Sequence, residues 1–289
     1  MIRRAVTVFA MILFAAVPSA QATEIPFGPA EELASGLVGG VGGVPVMAQG
    51  DLDGDGDADI AVAIAASASN GGVWWFENLG IDGFAAEQLI AGCAEGGFLC
   101  RANDIQLVDM DSDGDLDLLG ANFVSVSDTI GWYPNDGLGN FGAPTLVRVS
   151  GGARLEHVTA ADFDGDGDLD VAAVNRSPAA IAWYTNNGGG TFNTGTENAI
   201  DTLSVNSSNV IHADVDGDGD VDLVACNGFA DVVWFENTDG AGTFSTKQTT
   251  ATPPEGIDRV RVGDIDGDGD IDALSSYSVG GRDLNWHEN

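Results

Sequence analysis

The sequence predicts an all-β fold of small antiparallel sheets, one per repeat, set around a common axis. Three observations predict it. A nine-residue acidic segment occurs five times, and a Trp-bearing segment follows each copy. No stretch beyond the N-terminal leader shows 3.6-residue apolar spacing with helix caps.

The N-terminus comes first. Arg3 and Arg4 precede an apolar run from Ala5 to Val17, then Pro18, Ser19 and the small-x-small triplet Ala20-Gln21-Ala22. That is the pattern of an export signal with cleavage near Ala22, and a run of about 13 residues is too short to span a bilayer. Residues 1–22 are therefore read as a signal peptide and 23–289 as the mature repeat domain, secreted, periplasmic or on the cell surface. Cleavage removes two positive charges, Arg3 and Arg4, and takes the net charge from −35 to −37.

Such a charge repels itself in a compact chain. It excludes nucleic acid as a partner, because phosphate binding needs clustered Lys and Arg. Disorder would go with few apolar residues, but this chain is 44% apolar with six Trp and thirteen Phe. Cations that neutralise the acids are the better reading. Cys93 and Cys100 enclose a short Gly-rich segment and are expected to form a local disulfide after export. Cys226 sits in an apolar run and is expected to be a buried free thiol.

The acidic segment reads DLDGDGDAD from Asp51, DMDSDGDLD from Asp109, DFDGDGDLD from Asp162, DVDGDGDVD from Asp214 and DIDGDGDID from Asp264. The steps are 58, 53, 52 and 50 residues. The second mark keeps the same rhythm: WFEN ending at Asn78, WYPN at Asn135, WYTN at Asn186, WFEN at Asn237 and WHEN at Asn289. The third is a Phe six or seven residues later, at Phe84, Phe141, Phe192 and Phe244, with Phe27 a fifth copy lacking the Asn.

Each unit reads as four strands. One precedes the acidic segment, as in His157–Ala161. A compact apolar run follows it: Ile60–Ala65, Leu118–Ala121, Val171–Val174, Leu223–Cys226 and Ala273–Leu274. The Trp strand is third: Val73–Glu77, Ile130–Tyr133, Ile181–Tyr184, Val232–Glu236 and Leu284–Glu288. A Phe-led strand is fourth, and Gly and Asn clusters separate them. Repeated four-stranded units of about 50 residues indicate a β-propeller, here of five blades. Trp75, Trp132, Trp183, Trp234 and Trp286 are expected to fill the space between neighbouring sheets. The last unit lacks its fourth strand, and Ile25-Pro26-Phe27-Gly28 looks like one. Pairing the two would close the ring and remove exposed sheet edges.

The acidic loops carry the chemistry. Carboxylates fall at positions 1, 3, 5, 7 and 9. In the first loop these are Asp51, Asp53, Asp55, Asp57 and Asp59. In the second they are Asp109, Asp111, Asp113, Asp115 and Asp117. The third has Asp162, Asp164, Asp166, Asp168 and Asp170. The fourth has Asp214, Asp216, Asp218, Asp220 and Asp222, and the fifth Asp264, Asp266, Asp268, Asp270 and Asp272. Alternate side chains of a curled loop converge, Gly at position 6 permits the turn, and hard oxygens in that number suit Ca²⁺ better than Mg²⁺. About five ions are expected, one per loop, which would bring the mature charge to −27. The position-7 carboxylates rank below the others, because a backbone carbonyl is the usual ligand there. An EF-hand is excluded: position 12 holds Val62, Gly120, Ala173, Ala225 or Ser275 where a bidentate Glu is required.

These residues resemble the FG-GAP/VCBS repeats of integrin α-subunits and many exported bacterial proteins. The match is D-x-D-x-D-G-x-x-D, as in Asp162 to Asp170, with W-[FY]-x-N and the Phe marks similar to the bacterial version. The resemblance implies a propeller with calcium in the hairpin loop between the first two strands of each blade, the Asp residues named above being its ligands. Integrin propellers have seven blades where five repeats stand here. Ser112 replaces Gly at position 4 of the second loop, with no loss of binding expected.

Function then reads as a monomeric, non-catalytic binding or adhesion module with structural calcium and a protein or glycan ligand. Its contacts would be made by the loops Gly36–Gly43, Cys93–Cys100, Ala121–Thr129 and Thr250–Gly256, which vary most in length. A lectin is the first alternative. A lyase or hydrolase is the second, with His157, Asp104 and Arg259 its candidates, each five residues before an acidic loop. The sequence has no phosphate loop, nucleophile elbow or zinc spacing.

Overall fold

A computed structural model of the chain describes residues 46–64, 71–92, 98–99, 101–122, 128–150, 154–176, 179–203, 207–228, 231–252, 257–277 and 283–289. The expected signal peptide at 1–22, the strand expected at Ile25–Gly28 and the disulfide expected between Cys93 and Cys100 lie outside them.

The described residues form five antiparallel sheets in chain order. The first holds β1 (Val46–Gly50), β2 (Asp59–Ile64), β3 (Gly72–Phe76) and β4 (Gln88–Gly92). The second holds β5 (Ala102–Val108), β6 (Asp117–Asn122), β7 (Asp128–Tyr133) and β8 (Thr145–Ser150). The third holds β9 (Leu155–Ala161), β10 (Asp170–Arg176), β11 (Ala179–Tyr184) and β12 (Asn198–Thr202). The fourth holds β13 (Val210–Ala213), β14 (Asp222–Asn227), β15 (Asp231–Phe235) and β16 (Gln248–Ala251). The fifth holds β17 (Arg259–Gly263), β18 (Asp272–Tyr277) and β19 (Asp283–His287). Each is a simple meander, and the first strands of successive sheets lie side by side. This is the arrangement expected of blades; closure of the ring is not among the described contacts.

The acidic segment is the loop of the first hairpin. Position 9 opens the second strand and pairs with the residue before position 1: Gly50 with Asp59, Val108 with Asp117, Ala161 with Asp170, Ala213 with Asp222 and Gly263 with Asp272. The Phe marks differ from expectation in one respect. Each Phe makes an isolated bridge to the preceding Asn, and the fourth strand starts four to six residues later. The ring is turned into the gap between sheets: Phe141, Phe192 and Phe244 each join an inter-sheet cluster.

Four apolar clusters join successive sheets. Strands β6 and β14 are buried along their whole length because alternate residues face different neighbours. In β14, Leu223 and Ala225 face the third sheet while Val224 and Cys226 face the fifth. That two-sided burial explains the unbroken apolar runs of the sequence. Cys226 is a buried free thiol, as expected. Trp75, Trp132 and Trp183 are buried between sheets. Trp286 departs from that pattern and is 49% exposed, on the face of the fifth sheet turned away from the fourth.

Candidate metal centre

Each acidic loop is folded by its own carboxylates. The position-1 side chain accepts backbone N–H groups from further along the loop. Asp51 takes those of Gly54 at 2.8 Å and Gly56 at 3.0 Å. Asp162 takes Gly165 at 2.8 Å, Asp166 at 3.2 Å and Gly167 at 3.0 Å. Asp109 and Asp214 do the same, and Asp264 accepts from Gly267. The position-5 carboxylate accepts the position-7 N–H in all five loops. These bonds require left-handed backbone at position 4, where Gly165 has φ 73°, and at position 6, where Gly167 has φ 96°. Ser112 takes φ 63° in the same position 4.

The consequence is five groups of carboxylates, in each of which one oxygen per residue lies within 4.8 Å of the others. In the first two loops the groups are Asp51, Asp53 and Asp59, and Asp109, Asp111 and Asp117. In the other three they are Asp162, Asp164 and Asp166; Asp214, Asp216 and Asp218; and Asp264, Asp266 and Asp268. The position-7 carboxylates Asp57, Asp115, Asp168, Asp220 and Asp270 belong to none of these groups. Asp115 and Asp220 instead lie against Gly137 and Gly240 of the loop after their own Trp strand.

Two oxygens test whether a cation fits. Asp111 Oδ1 and Asp164 Oδ1, both at position 3, are buried without a hydrogen-bond partner. Burial and the neighbouring aspartates push both carboxyls above their ordinary range. A buried, partnerless carboxylate oxygen facing other carboxylates is unfavourable alone and is satisfied by a hard divalent cation. The donor set is able to hold a metal ion in each loop.

Position 9 has a further task that sequence reasoning missed. Asp59, Asp117, Asp170 and Asp222 are fully buried, and each accepts two N–H groups, from position 2 of its loop and from the Asn that ends the Trp strand. Asp272 makes the same pair of bonds. Burial drives the Asp117 and Asp170 carboxyls up to about 7 despite these donors. The Asn side chain then crosses to the preceding sheet. Asn135 Nδ2 donates to Leu52 O at 2.8 Å, Asn186 to Met110 O at 3.0 Å, Asn237 to Phe163 O at 2.9 Å and Asn289 to Val215 O at 2.8 Å. The recurrence of Asn was the available signal; its reach was not readable from one strand.

The residues five before each loop also meet. His157 Nδ1 lies 3.4 Å from Asp104 Oδ2, which accepts the Val158 N–H at 3.1 Å. Asn209 Oδ1, from the same position of the next repeat, accepts the Val260 N–H at 2.8 Å. Burial takes His157 down to about 3 and Asp104 up to about 7, with Arg259 and Arg261 opposing the second shift. The imidazole is neutral, and the side-chain oxygens tie one sheet to the backbone of the next. Arg259 is exposed and reaches Ser208 O.

No helix among the described residues is long and apolar enough to cross a membrane. The sequence matches the family model described as FG-GAP-like repeat four times, over residues 51–120, 109–173, 162–225 and 214–275. Each match begins at the first Asp of one loop and ends in the strand after the next. No curated protein matches. Among solved structures, rhamnogalacturonan lyase YesW is similar at 14% identity with a TM-score of 0.50, over 83% of this chain and 48% of that one. The V. cholerae biofilm matrix protein Bap1 matches at 18% identity with a TM-score of 0.47, over 81% and 35%. The chain thus spans between a third and a half of these chains' length, and at such identity the first likeness bears on the fold alone.

Proposed function

The chain belongs to the FG-GAP-like repeat family, and from that premise we propose that it is an exported calcium-binding β-propeller acting as a monomeric, non-catalytic binding or adhesion module. One observation carries the metal part: the same hydrogen-bonded loop recurs five times and gathers three carboxylates each time. The ligands in this reading are the aspartates at positions 1, 3, 5 and 9, with position 7 supplying its carbonyl. Asp111 Oδ1 and Asp164 Oδ1 support it, since a cation would satisfy both. The ion would be structural, because crowded carboxylates resist folding until neutralised, and binding energy then becomes folding energy.

Function would rest with the loops at 36–43, 93–100, 121–129 and 250–256, most of whose residues lie outside those described. The buried tie between Asp104 and Val158 supports a structural role for the Asp104–His157 pair over a catalytic one. A glycan ligand has one supporting feature: a recess of about 150 Å³ on the third sheet, lined by Tyr184 with Thr185, Asn187, Asn193, Thr196 and Asn198. Such a surface of amides, hydroxyls and one aromatic suits a neutral sugar.

The test is calorimetric titration of the metal-stripped protein with calcium and with magnesium, beside a glycan and protein-partner screen run with and without calcium. Stoichiometric calcium binding with a raised melting temperature supports the reading. A melting curve indifferent to calcium rejects it.

A further inference from the structure

The third repeat departs from its neighbours at one place outside its acidic loop. In the first, second and fourth sheets the last strand starts four residues after the bridging Phe, at Gln88, Thr145 and Gln248. In the third sheet it starts six residues after Phe192, at Asn198. The extra length forms an exposed turn, Asn193-Thr194-Gly195-Thr196, closed by the Thr196 N–H donating to Asn193 O at 2.9 Å. The other sheets make the same connection without it, so the fold does not require this turn.

The turn walls two abutting recesses. One, of about 150 Å³, has Thr185, Asn193, Asn198, Tyr184 and Thr196 in its lining. The other, of about 230 Å³, shares Tyr184 and Thr196 and adds Arg148, Thr194 and Glu197. Arg148 comes from the second sheet, where the register of the other sheets places Ala91, Asp201 and Ala251. Its Nη2 lies 3.0 Å from Glu197 Oε2, and its guanidinium lies 5.6 Å from the centre of the Tyr184 ring. Nη1 donates to Asn175 Oδ1 at 3.3 Å. These contacts hold the guanidinium in place, and the ion pair presents donors beside an acceptor with no net charge.

The rest of the lining is neutral and polar. Asn198 Nδ2 donates to Thr185 Oγ1 at 3.2 Å. The exposed side chains of Asn193, Thr194 and Thr196 have no hydrogen-bond partner among the described residues. Small-molecule pockets are mostly apolar with a few polar groups. Here hydroxyls and amides predominate, which suits a ligand that carries hydroxyls over most of its surface. Two recesses with a shared wall suit linked units of such a ligand. An acidic sugar is disfavoured by the Glu197 carboxylate and by a chain of net charge −35.

We propose that the turn Asn193–Thr196, together with Arg148, Glu197 and Asn198, is a binding site for a short neutral oligosaccharide beside the edge strand β12. The proposal deepens the glycan reading given above and does not rest on calcium.

Saturation-transfer NMR and calorimetry on the full exported chain test it, with cellotriose, maltotriose, mannotriose and galactotriose as probes and trigalacturonic acid as the acidic control. At least one neutral trisaccharide is expected to bind, at one site per chain. Thr196→Ala, at the wall common to both recesses, is expected to weaken binding about five- to tenfold with an unchanged melting temperature. Deletion of Thr194 and Gly195, which restores the connection of the other sheets, is expected to abolish sugar binding and leave calcium binding intact. Native sugar affinity in the folded deletion variant overturns the site and leaves a glycan ligand elsewhere on the chain. If the deletion variant does not fold, native affinity in Thr196→Ala overturns it instead. No binding of any neutral trisaccharide removes the site and the glycan reading together, with the calcium reading untouched. Preference for trigalacturonic acid overturns the neutral assignment.

Discussion

Asn186 of the third sheet holds the second acidic loop by its backbone: its Nδ2 donates to Met110 O at 3.0 Å and to Leu169 O of its own loop at 3.1 Å. The Asn186 N–H meanwhile binds Asp170 at 2.8 Å. One buried amide thus fixes two loops in adjacent sheets. Asn186→Ala should cost about 2–3 kcal/mol, since one buried and one part-buried carbonyl lose their donor. Asn78, whose only such bond among the described residues is to Ala58 O in an exposed setting, should cost less than about 1 kcal/mol when changed to Ala. Urea denaturation of the two variants checks the contrast.

Positions 3 and 7 of a loop should behave differently towards calcium. Asp111→Asn removes a carboxylate whose Oδ1 is buried and unpartnered among other acids. It should lower the number of ions bound by one. Asp115→Asn, outside the carboxylate group, should leave the count unchanged. Metal analysis of the dialysed variants decides; equal counts would remove the ligand assignment.

Asp104 should make stability fall with rising pH. Its carboxyl titrates near 3.8 when unfolded and about 7 when folded, because burial outweighs the Val158 N–H and the two arginines. A folded-state pKa above the unfolded value gives stability that is complete below pH 3.8 and is lost as pH rises through 7. Asp104→Asn keeps an oxygen for Val158 and removes the charge. It should therefore be more stable than the native protein at pH 8, by about 1–3 kcal/mol, with the difference vanishing near pH 4. Denaturant curves at both pH values check the sign.

Ser112 bears a left-handed backbone that its counterparts assign to Gly. Ser112→Gly should stabilise the second loop by about 0.5–1 kcal/mol, the relief of the Cβ clash exceeding the chain entropy Gly adds. Differential scanning calorimetry should show a small rise in Tm.

Gly190 combines φ 67° with a Cβ position 2.1 Å from the Trp132 ring. Gly190→Ala should destabilise by about 2–4 kcal/mol through overpacking and backbone strain. Gly189 also has a left-handed backbone, φ 58°, but faces open space, so its Ala variant should cost about 1 kcal/mol. Side-by-side melting curves separate the packing contribution from the backbone one.

The repeat made most of this architecture readable. The acidic segments became hairpin loops and the Trp runs became third strands, within a residue or two of the expected bounds. What stayed hidden depended on contacts between repeats. Asp170 and Asp164 are the same residue type six positions apart, yet Asp170 is buried by two N–H donors while Asp164 leaves an oxygen unpaired. Composition does not distinguish them; the register of β10 against β9 does. The meeting of Asp104 with His157 was foreshadowed by their equal distance from the loops, but their burial and neutral imidazole arise from the next sheet. Trp286 looked like its four counterparts and differs through what stands beside it.

The cross-sheet amides also have a direction. From the second sheet onward the later repeat brings the donor, Asn135, Asn186, Asn237 or Asn289, and the earlier one offers the carbonyl. A chain emerging amino end first therefore always presents the acceptor before its donor is made. Each new unit can latch onto a finished predecessor, so assembly can keep pace with synthesis instead of waiting for the whole polypeptide.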